Sequence, residues 1–276
     1  MMLPVRRLGV VKLEDGAPRS IEDAVAVEEP LEIRISGETL AITMRTPGND
    51  RELVLGFLLA EGVIASAADV STVTHCGKVG AEERENTIDV TLAPGVRPPI
   101  DDETGLLARR GTITTSACGV CGRRSIDDLL AGMEPIAPGA RVPASTVLAA
   151  VAGLRARQPV FAETGGCHAA SLVAFDGAVR GTFEDVGRHN AVDKVIGAEV
   201  LAGRPALAGH VLVVSGRSSF EIVQKAFRAR IPVVAAVSAP SSLAIALADR
   251  TGVTLAGFVR GRGMTIYRGD AIDEGA

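Results

Sequence analysis

Apolar and polar residues alternate along residues 31–44, as is typical of paired β-strands. The apolar positions are Leu31, Ile33, Ile35, Leu40, Ile42 and Met44. The polar run 36–39 lies between the two sets and has the composition of a tight turn. The pattern therefore predicts a β-hairpin, and further short strands are predicted at residues 73–79 and 86–92.

A helix is predicted directly after this hairpin. Asn49 and Glu52 have the spacing of a capping box, apolar residues follow, and Gly62 provides a stop signal. A second helical pattern covers residues 145–157. A third begins near Asn190 and ends before Gly203.

Strands and helices alternate from residue 211 onwards. Strands are predicted at 211–214, 233–237 and 253–258, with helices at 219–228 and 243–248. This order is typical of a parallel or mostly parallel sheet covered by helices. A hairpin turn at Asp176 and Gly177 is predicted to precede this region.

The strongest linker signal is the run 135–143, which contains three prolines and a glycine. We therefore expect two domains, for which 276 residues are sufficient. Residues 1–140 would form a smaller, mainly β domain, and residues 141–276 an α/β domain. The fold class expected for the whole chain is thus α/β, or α+β overall.

Composition argues against several functions. The formal net charge is −4, and the chain has no Trp and one Tyr, so binding to nucleic acid is not expected. Residues 1–16 contain no apolar signal-peptide core, and prolines divide the uncharged run 231–248. We therefore expect a cytoplasmic protein that does not enter a membrane.

Two cysteines three positions apart, Cys118 and Cys121, form the most reactive motif in the chain. A Cys-x-x-Cys turn allows one sulfur to react while the second lies within reach, and the thiolate is the reactive form. Arg123 and Arg124 follow directly and would favour the thiolate. The motif indicates redox or sulfur-transfer chemistry.

A structural zinc site is the main alternative for this motif. The remaining candidate ligands are the pairs His75 with Cys76 and Cys167 with His168, and neither has the usual ligand spacing. We therefore expect no structural metal, although zinc is not excluded. Cys76 is interpreted as a packed structural thiol, and Cys167 and His168 would face opposite sides of a strand.

Serines, glycines and arginines follow the three predicted parallel strands. They are Ser215, Gly216 and Arg217, then Ser238, Ser241 and Ser242, then Arg260, Gly261, Arg262 and Gly263. Because ligands bind beyond the carboxyl ends of such strands, these residues indicate a site for phosphate groups. The alternative is that the serines are ordinary helix caps and the arginines are solvated.

His189, next to Arg188, also has two interpretations. It is either a base or ligand contact, or a helix residue whose imidazole is satisfied by Asp185. The residues alone favour the second interpretation.

Several long motifs in fixed order resemble the formate dehydrogenase accessory proteins of the FdhD type. The matching segments are 46–48, 56–58, 61–62, 116–122, 164–168, 184–194, 215–217 and 257–261. The resemblance implies a cytoplasmic sulfurtransferase that delivers sulfur to the molybdenum cofactor before the cofactor enters formate dehydrogenase. A thiol of Cys118 or Cys121 would carry the sulfur as a persulfide taken from a cysteine desulfurase.

The resemblance also implies how the cofactor is held. Residues 258–263, namely Phe258, Val259, Arg260, Gly261, Arg262 and Gly263, would contact its bis(guanine dinucleotide) form, with GDP as a mimic. Arg188, His189 and the run 215–217 would contribute to the same site. Such proteins have a cytidine-deaminase-like second domain and tend to form homodimers, but the zinc motif of the deaminases is absent from this sequence. A zinc-stabilised cofactor chaperone without sulfur transfer is the alternative.

Overall fold

The computed structural model describes residues 3–76, 85–96, 133–204 and 206–275. Cys118 and Cys121 lie outside the described residues, as do Arg123 and Arg124. The described residues form a mixed α/β architecture, as the sequence predicts.

The first part of the chain contains six strands and one long helix in the described ranges. They are β1 (Val5–Glu14), β2 (Ala17–Ala26), β3 (Glu29–Ile35), β4 (Glu38–Arg45), α1 (Asp50–Glu61), a 3-10 turn (Ala67–Asp69), β5 (Val70–His75) and β6 (Thr87–Leu92). Strands β3 to β6 form a four-stranded sheet in the order β4-β3-β6-β5. The hairpin predicted at residues 31–44 is confirmed as β3 and β4.

The second part of the chain contains the remaining elements. They are β7 (Val142–Pro143), α2 (Ala144–Ala152), a 3-10 turn (Arg155–Arg157), α3 (Pro159–Thr164), β8 (His168–Ala174), β9 (Val179–Asp185), α4 (Arg188–Leu201), β10 (His210–Val214), α5 (Phe220–Arg228), β11 (Val233–Ala236), α6 (Ser242–Thr251), β12 (Thr254–Arg260), β13 (Gly263–Arg268) and β14 (Ile272–Asp273).

A six-stranded sheet in the order β13-β12-β11-β10-β8-β9 organises this part. Strands β10, β11 and β12 are parallel, as predicted from the alternating pattern. The outer pairs, including the predicted β8–β9 hairpin, are antiparallel. The sheet is therefore mixed rather than mostly parallel.

Both faces of this sheet are buried, which explains its nearly continuous apolar strands. On one face, Val211, Val213 and Ala235 pack against α2. On the other face, Leu212, Val214 and Val234 belong to a larger core that also includes residues of α1, α4, α5 and α6. Leu31, Ile33 and Ile88 of the four-stranded sheet belong to this same core. The division into two domains at residue 140 stays a prediction.

Two glycines allow α1 and α4 to cross with their backbones in contact. A Cβ atom at Gly56 would lie 2.0 Å from the backbone oxygen of Asp193, and one at Gly197 would lie 1.7 Å from that of Glu52. Neither position has room for any side chain, because real Cβ atoms do not approach other atoms this closely. The crossing joins the elements before residue 62 to those after residue 187.

The first hairpin, β1 with β2, was not predicted. It forms a separate two-stranded sheet, and Val11 and Leu13 near its turn are 65% and 71% exposed. At its base, Arg7 pairs with Glu163 at 2.7 Å. Since most of both faces contact solvent, the hairpin lacks the strict alternation that predicts a half-buried strand.

Two local predictions were wrong. Asn49 adopts a left-handed conformation (φ 57°) and makes no side-chain cap on α1, although Gly62 ends the helix as expected. The helix predicted at residues 145–157 ends at Ala152, where Gly153 interrupts it and a 3-10 turn follows. This break redirects residues 155–164 across the edge of the sheet.

The helix crossing yields a stability prediction. We expect Gly197→Ala to lower the free energy of unfolding by on the order of 3 kcal/mol or more, because two backbones must move apart. Gly209→Ala is the matched control, since its Cβ would have no heavy atom within 4 Å. Urea unfolding monitored by circular dichroism would measure both variants. Equal stability of the two variants would contradict the contact.

Candidate functional site

Four connections meet at the carboxyl edge of the parallel strands and hold one another in place. Ser218, after β10, bridges to Pro240, after β11. The Phe258 N–H donates to the Ser238 carbonyl at 3.2 Å. Because β8 is antiparallel to β10, its first residue, His168, lies at the same edge. The sequence prediction that these loops come together is therefore confirmed.

A buried carboxylate, Asp185, holds the connection between β9 and α4 in place. Its oxygens accept hydrogen bonds from the N–H groups of Gly187 at 2.8 Å and Thr46 at 3.1 Å, and from the Asn190 amide at 3.0 Å. The Lys194 ammonium group completes the set at 2.8 Å. Asp185 is 0% exposed, so this pairing is needed to offset the cost of burying its charge.

The same network includes the segment after β4. The Thr46 carbonyl accepts from Lys194 at 2.9 Å, and its hydroxyl accepts from the Val186 N–H at 3.1 Å. That hydroxyl also lies 3.7 Å from the sulfur of Cys167. The motifs at 46–48, 164–168 and 184–194, which are far apart in sequence, are therefore one connected structure.

The two cysteines in the described residues have opposite environments. Cys167 is buried, and burial raises the pKa of its thiol. Cys76 is half-buried just beyond β5, and its sulfur donates to the Thr74 carbonyl at 3.6 Å. The interpretation of Cys76 as a packed thiol was therefore wrong, and that description suits Cys167.

His189 is not satisfied by Asp185, contrary to the sequence-based interpretation. Its Nε2 lies 2.9 Å from the Ser219 hydroxyl and 3.6 Å from a carboxylate oxygen of Glu221. Burial acts to raise the pKa of Glu221. The net shift of this pKa is nevertheless downward, because the carboxylate accepts hydrogen bonds from the Ser219 hydroxyl and its own backbone N–H. The nearby charges of His189 and Arg188 lower it further. His189 therefore ties the start of α4 to the start of α5.

Arg188, His168 and Gly216 lie together at this edge. A Cβ at Gly216 would be 3.4 Å from the His168 ring and 3.8 Å from the Arg188 side chain. Burial lowers the pKa of His168, and the charge of Arg188 lowers it further. The Arg188 Nε is buried and has no hydrogen-bond partner among the described residues. Of the predicted cluster, Arg188, Ser215 and Gly216 are therefore brought together, with His168 added.

The serines at this edge have mainly structural roles. The Ser215 hydroxyl accepts from the Ala169 N–H at 2.9 Å, and that of Ser241 accepts from the Ala244 N–H as the cap of α6. Ser218 is fully buried. The Glu221 carboxylate occupies the first turn of α5, which disfavours an anion there. A cradle of serine hydroxyls for phosphate is therefore not supported.

The arginines at this edge are better placed than the serines to bind an anion. The run 260–263 is the turn of the β12–β13 hairpin, with Arg260 paired to Gly263, rather than an open loop. Arg217, Arg260 and Arg262 are exposed, and none makes a salt bridge or hydrogen bond with a described residue. These three guanidinium groups are free to bind phosphate.

Phe258 has a strained backbone at the start of this hairpin tip. Its φ is 51°, in the left-handed region that disfavours a side chain, at a register shift in β12. The ring is 40% exposed and lies 5.8 Å from the Arg260 guanidinium. Val259 has its side chain fully buried, so its backbone alone could contact a ligand.

A cavity of about 430 Å³ opens beside these residues, on the face covered by α2. Its walls include Leu154, Arg155, Gln158, Phe161, Cys167, His168, Ser215 and Val237. Glu184 holds one wall, because its carboxylate accepts from the N–H groups of Val160 and Phe161 at 2.9 and 2.8 Å. Sequence reasoning missed Arg155, Gln158 and Phe161, since they belong to no motif.

Within the described residues, no group of three or more His, Cys, Asp or Glu side chains is arranged to hold a metal ion. The Cys118 and Cys121 pair is outside those residues, so the expectation of no structural metal stays a prediction. No helix in the described ranges has the length and apolar character needed to cross a membrane.

The fold is that of a mixed α/β protein with an arginine-rich edge, and the FdhD/NarQ family model matches residues 26–272. The chain belongs to the FdhD/NarQ family. It is 56% identical over 254 residues to the sulfur carrier protein FdhD of Anaeromyxobacter dehalogenans strain 2CP-C, covering 90% of this chain and 88% of that protein.

A second curated relative and a solved structure are also similar to this chain. The sulfur carrier protein FdhD of Mycobacterium tuberculosis is 53% identical over 260 residues, with 91% of this chain and 92% of that protein covered. A crystal structure from Desulfotalea psychrophila, described as a formate dehydrogenase accessory protein, shares the fold with a TM-score of 0.76. That chain is 24% identical, and the match covers 98% of this chain and all of the other.

Asp193, in the motif at 184–194, leads to a prediction of how the free energy of unfolding depends on pH. Burial raises the pKa of Asp193 to about 6 from an ordinary value of 3.8; Lys225, 2.7 Å away, lowers it, and Glu61 and Asp185 raise it. Because the folded state holds this proton more tightly, the group's contribution to stability is greatest below about pH 4 and is lost as the pH rises through 6.

We therefore expect the free energy of unfolding of the parent, relative to Asp193→Asn, to fall between about pH 4 and 6 and then to level off. Urea unfolding across this range would measure it. The same substitution at the exposed Asp249 serves as the control. A difference that is constant with pH, or that grows with it, would contradict the prediction.

Proposed function

We propose that this protein is a sulfur carrier that acts in the maturation of formate dehydrogenase. It takes persulfide sulfur from a cysteine desulfurase and passes it to the molybdenum cofactor in its bis(guanine dinucleotide) form. The observation that carries the proposal is the identity of 53–56% over about nine-tenths of the chain to relatives named sulfur carrier proteins. The activity would be that of a cytoplasmic sulfurtransferase.

The sulfur step uses the Cys118 and Cys121 pair. The thiolate of one cysteine attacks the terminal sulfur of the donor's persulfide, so a new S–S bond forms and the donor's S–S bond breaks. The donor cysteine leaves as a thiolate, and the carrier holds the sulfur as a persulfide. Arg123 and Arg124, next in sequence, would favour the attacking thiolate.

The unpaired arginines support the cofactor part of the proposal. Arg217, Arg260 and Arg262 supply positive charge at one edge of the sheet, and no described acidic side chain neutralises it. The guanosine diphosphate arms of the cofactor carry the matching negative charge. Guanidinium groups bind phosphate in a bidentate manner, so a few exposed arginines are enough to hold such an arm.

Mass spectrometry tests the sulfur step. After incubation with a cysteine desulfurase and cysteine, we expect the intact protein to gain sulfur that a thiol reductant removes. Cys118→Ala or Cys121→Ala should reduce this gain, whereas the control Cys76→Ala should not. An unchanged parent mass, together with stoichiometric bound zinc, would instead support the zinc-stabilised cofactor chaperone.

Calorimetric titration with GDP tests the cofactor site. We expect Arg260→Ala to weaken GDP binding by roughly 10- to 100-fold, since a hydrogen bond to a charged group contributes about 1.5–3 kcal/mol. Arg19→Ala, an exposed arginine on the first hairpin, is the matched control. Equal affinity of the two variants for GDP would show that the turn of the β12–β13 hairpin does not contribute to the site.

A further inference from the structure

A second cavity opens between α2 and the turn that joins β8 to β9. Its volume is about 380 Å³, and its walls are Ser145, Thr146, Ala149, Ala150, Arg157, Val173, Gly177 and Val179. None of these residues lines the cavity beside the arginine-rich edge. Val173 is near the far end of β8 from His168, roughly 16 Å away at about 3.3 Å per residue. The two cavities are therefore different sites.

Arg157 is the one charged residue in these walls, and its guanidinium group is unsatisfied. The group makes no hydrogen bond or salt bridge with any described residue, although its Nη1 is buried. Gly153 provides the space for it, since a Cβ there would lie 3.0 Å from both Nη1 and Nη2. Burying a cationic N–H group without an acceptor is costly, so an acceptor from outside the described residues is expected.

The other walls suit a short aliphatic chain with a polar substituent. Val173, Val179 and two alanines of α2 provide apolar surface, and Val179 is 38% exposed. Ser145 and Thr146 contribute hydroxyl groups that make no hydrogen bond with a described residue. Apolar walls with a few polar groups, around a volume of several hundred Å³, are the usual design of a small-molecule site.

We propose that this cavity binds a small carboxylic acid, with its carboxylate on Arg157 and its aliphatic chain against the apolar walls. A guanidinium group and a carboxylate form two parallel N–H···O bonds, which would give Nη1 its acceptor. A single positive charge matches a carboxylate, whereas a phosphate dianion would leave an excess of negative charge. This site goes beyond the proposed function and takes part in neither its sulfur step nor its phosphate contacts.

NMR titrations with three probes test the proposal: hexanoate, hexanamide and acetate. Hexanamide has the chain without the charge, and acetate has the charge without the chain. We expect hexanoate to bind at least tenfold more tightly than either, because only hexanoate can make both the ion pair and the apolar contact. Absence of hexanoate binding, or equal Kd values for hexanoate and either of the other probes, would overturn the proposal.

Replacing the charged residue tests where the carboxylate lies. We expect Arg157→Gln to weaken hexanoate about tenfold, since it removes a hydrogen bond between charged groups, and to change hexanamide little. Arg51→Gln, at an exposed arginine on α1, is the matched control. Equal Kd values for hexanoate in the two variants would contradict the ion pair with Arg157.

A further variant covers the case in which Arg157→Gln does not fold, as judged by thermal melting. Ala149 is exposed on α2 and lines the cavity, so Ala149→Leu should fill the cavity and abolish hexanoate binding while the helix still forms. Ala152→Leu is the control, because Ala152 is exposed on the same helix and lines neither cavity. Unchanged hexanoate binding in Ala149→Leu would place the ligand elsewhere and overturn the proposal.

A peptide probe distinguishes a free acid from the carboxyl end of a protein. The tripeptide acetyl-Gly-Gly-Leu has a carboxylate and an aliphatic side chain like those of a protein end. We expect it to bind at least tenfold more weakly than hexanoate, because the cavity has room for a small molecule alone. Tighter binding of the tripeptide than of hexanoate would overturn the assignment to a free acid.

Discussion

The arrangement of the site depends on the carboxylate of Asp185, buried at the end of β9. Its two oxygens are shared among backbone groups, Asn190 and Lys194, and removing the ammonium group would leave an uncompensated charge in the core. The bond from the Thr46 N–H links the strands before residue 46 to α4. The Thr46 hydroxyl contacts the sulfur of Cys167, and Arg188 and His189 directly follow Gly187, so the positions of all three residues are linked to this one group.

Much of the fold could be predicted from local pattern. The hairpin of β3 and β4 follows from alternation, and the three parallel strands follow from short apolar runs separated by helices. The first hairpin could not be predicted in this way, because most of both its faces contact solvent and burial therefore does not impose alternation. The end of α2 at Ala152 depends on Gly153, whose effect on a helix depends on what packs around it.

The exposed charged residues of the site could be predicted from the sequence, whereas the residues whose role depends on a tertiary contact could not. The exposed arginines were found by their position after strands. The serines looked equivalent in sequence, yet Ser215, Ser218 and Ser241 differ because each meets a different neighbour in the fold. The partner of His189 was misassigned, since Ser219 and Glu221 are thirty residues away in sequence and reach it only through packing of α4 on α5. The cavity residues Arg155, Gln158 and Phe161 belong to no sequence motif, so the sequence did not indicate them.

The contact of Gly56 with α4 has a consequence for how the protein can move. Two helices whose main chains touch cannot slide or rotate past each other without collision. Opening and closing about this crossing is therefore disfavoured. Any rearrangement of the described elements is therefore expected in segments away from this crossing.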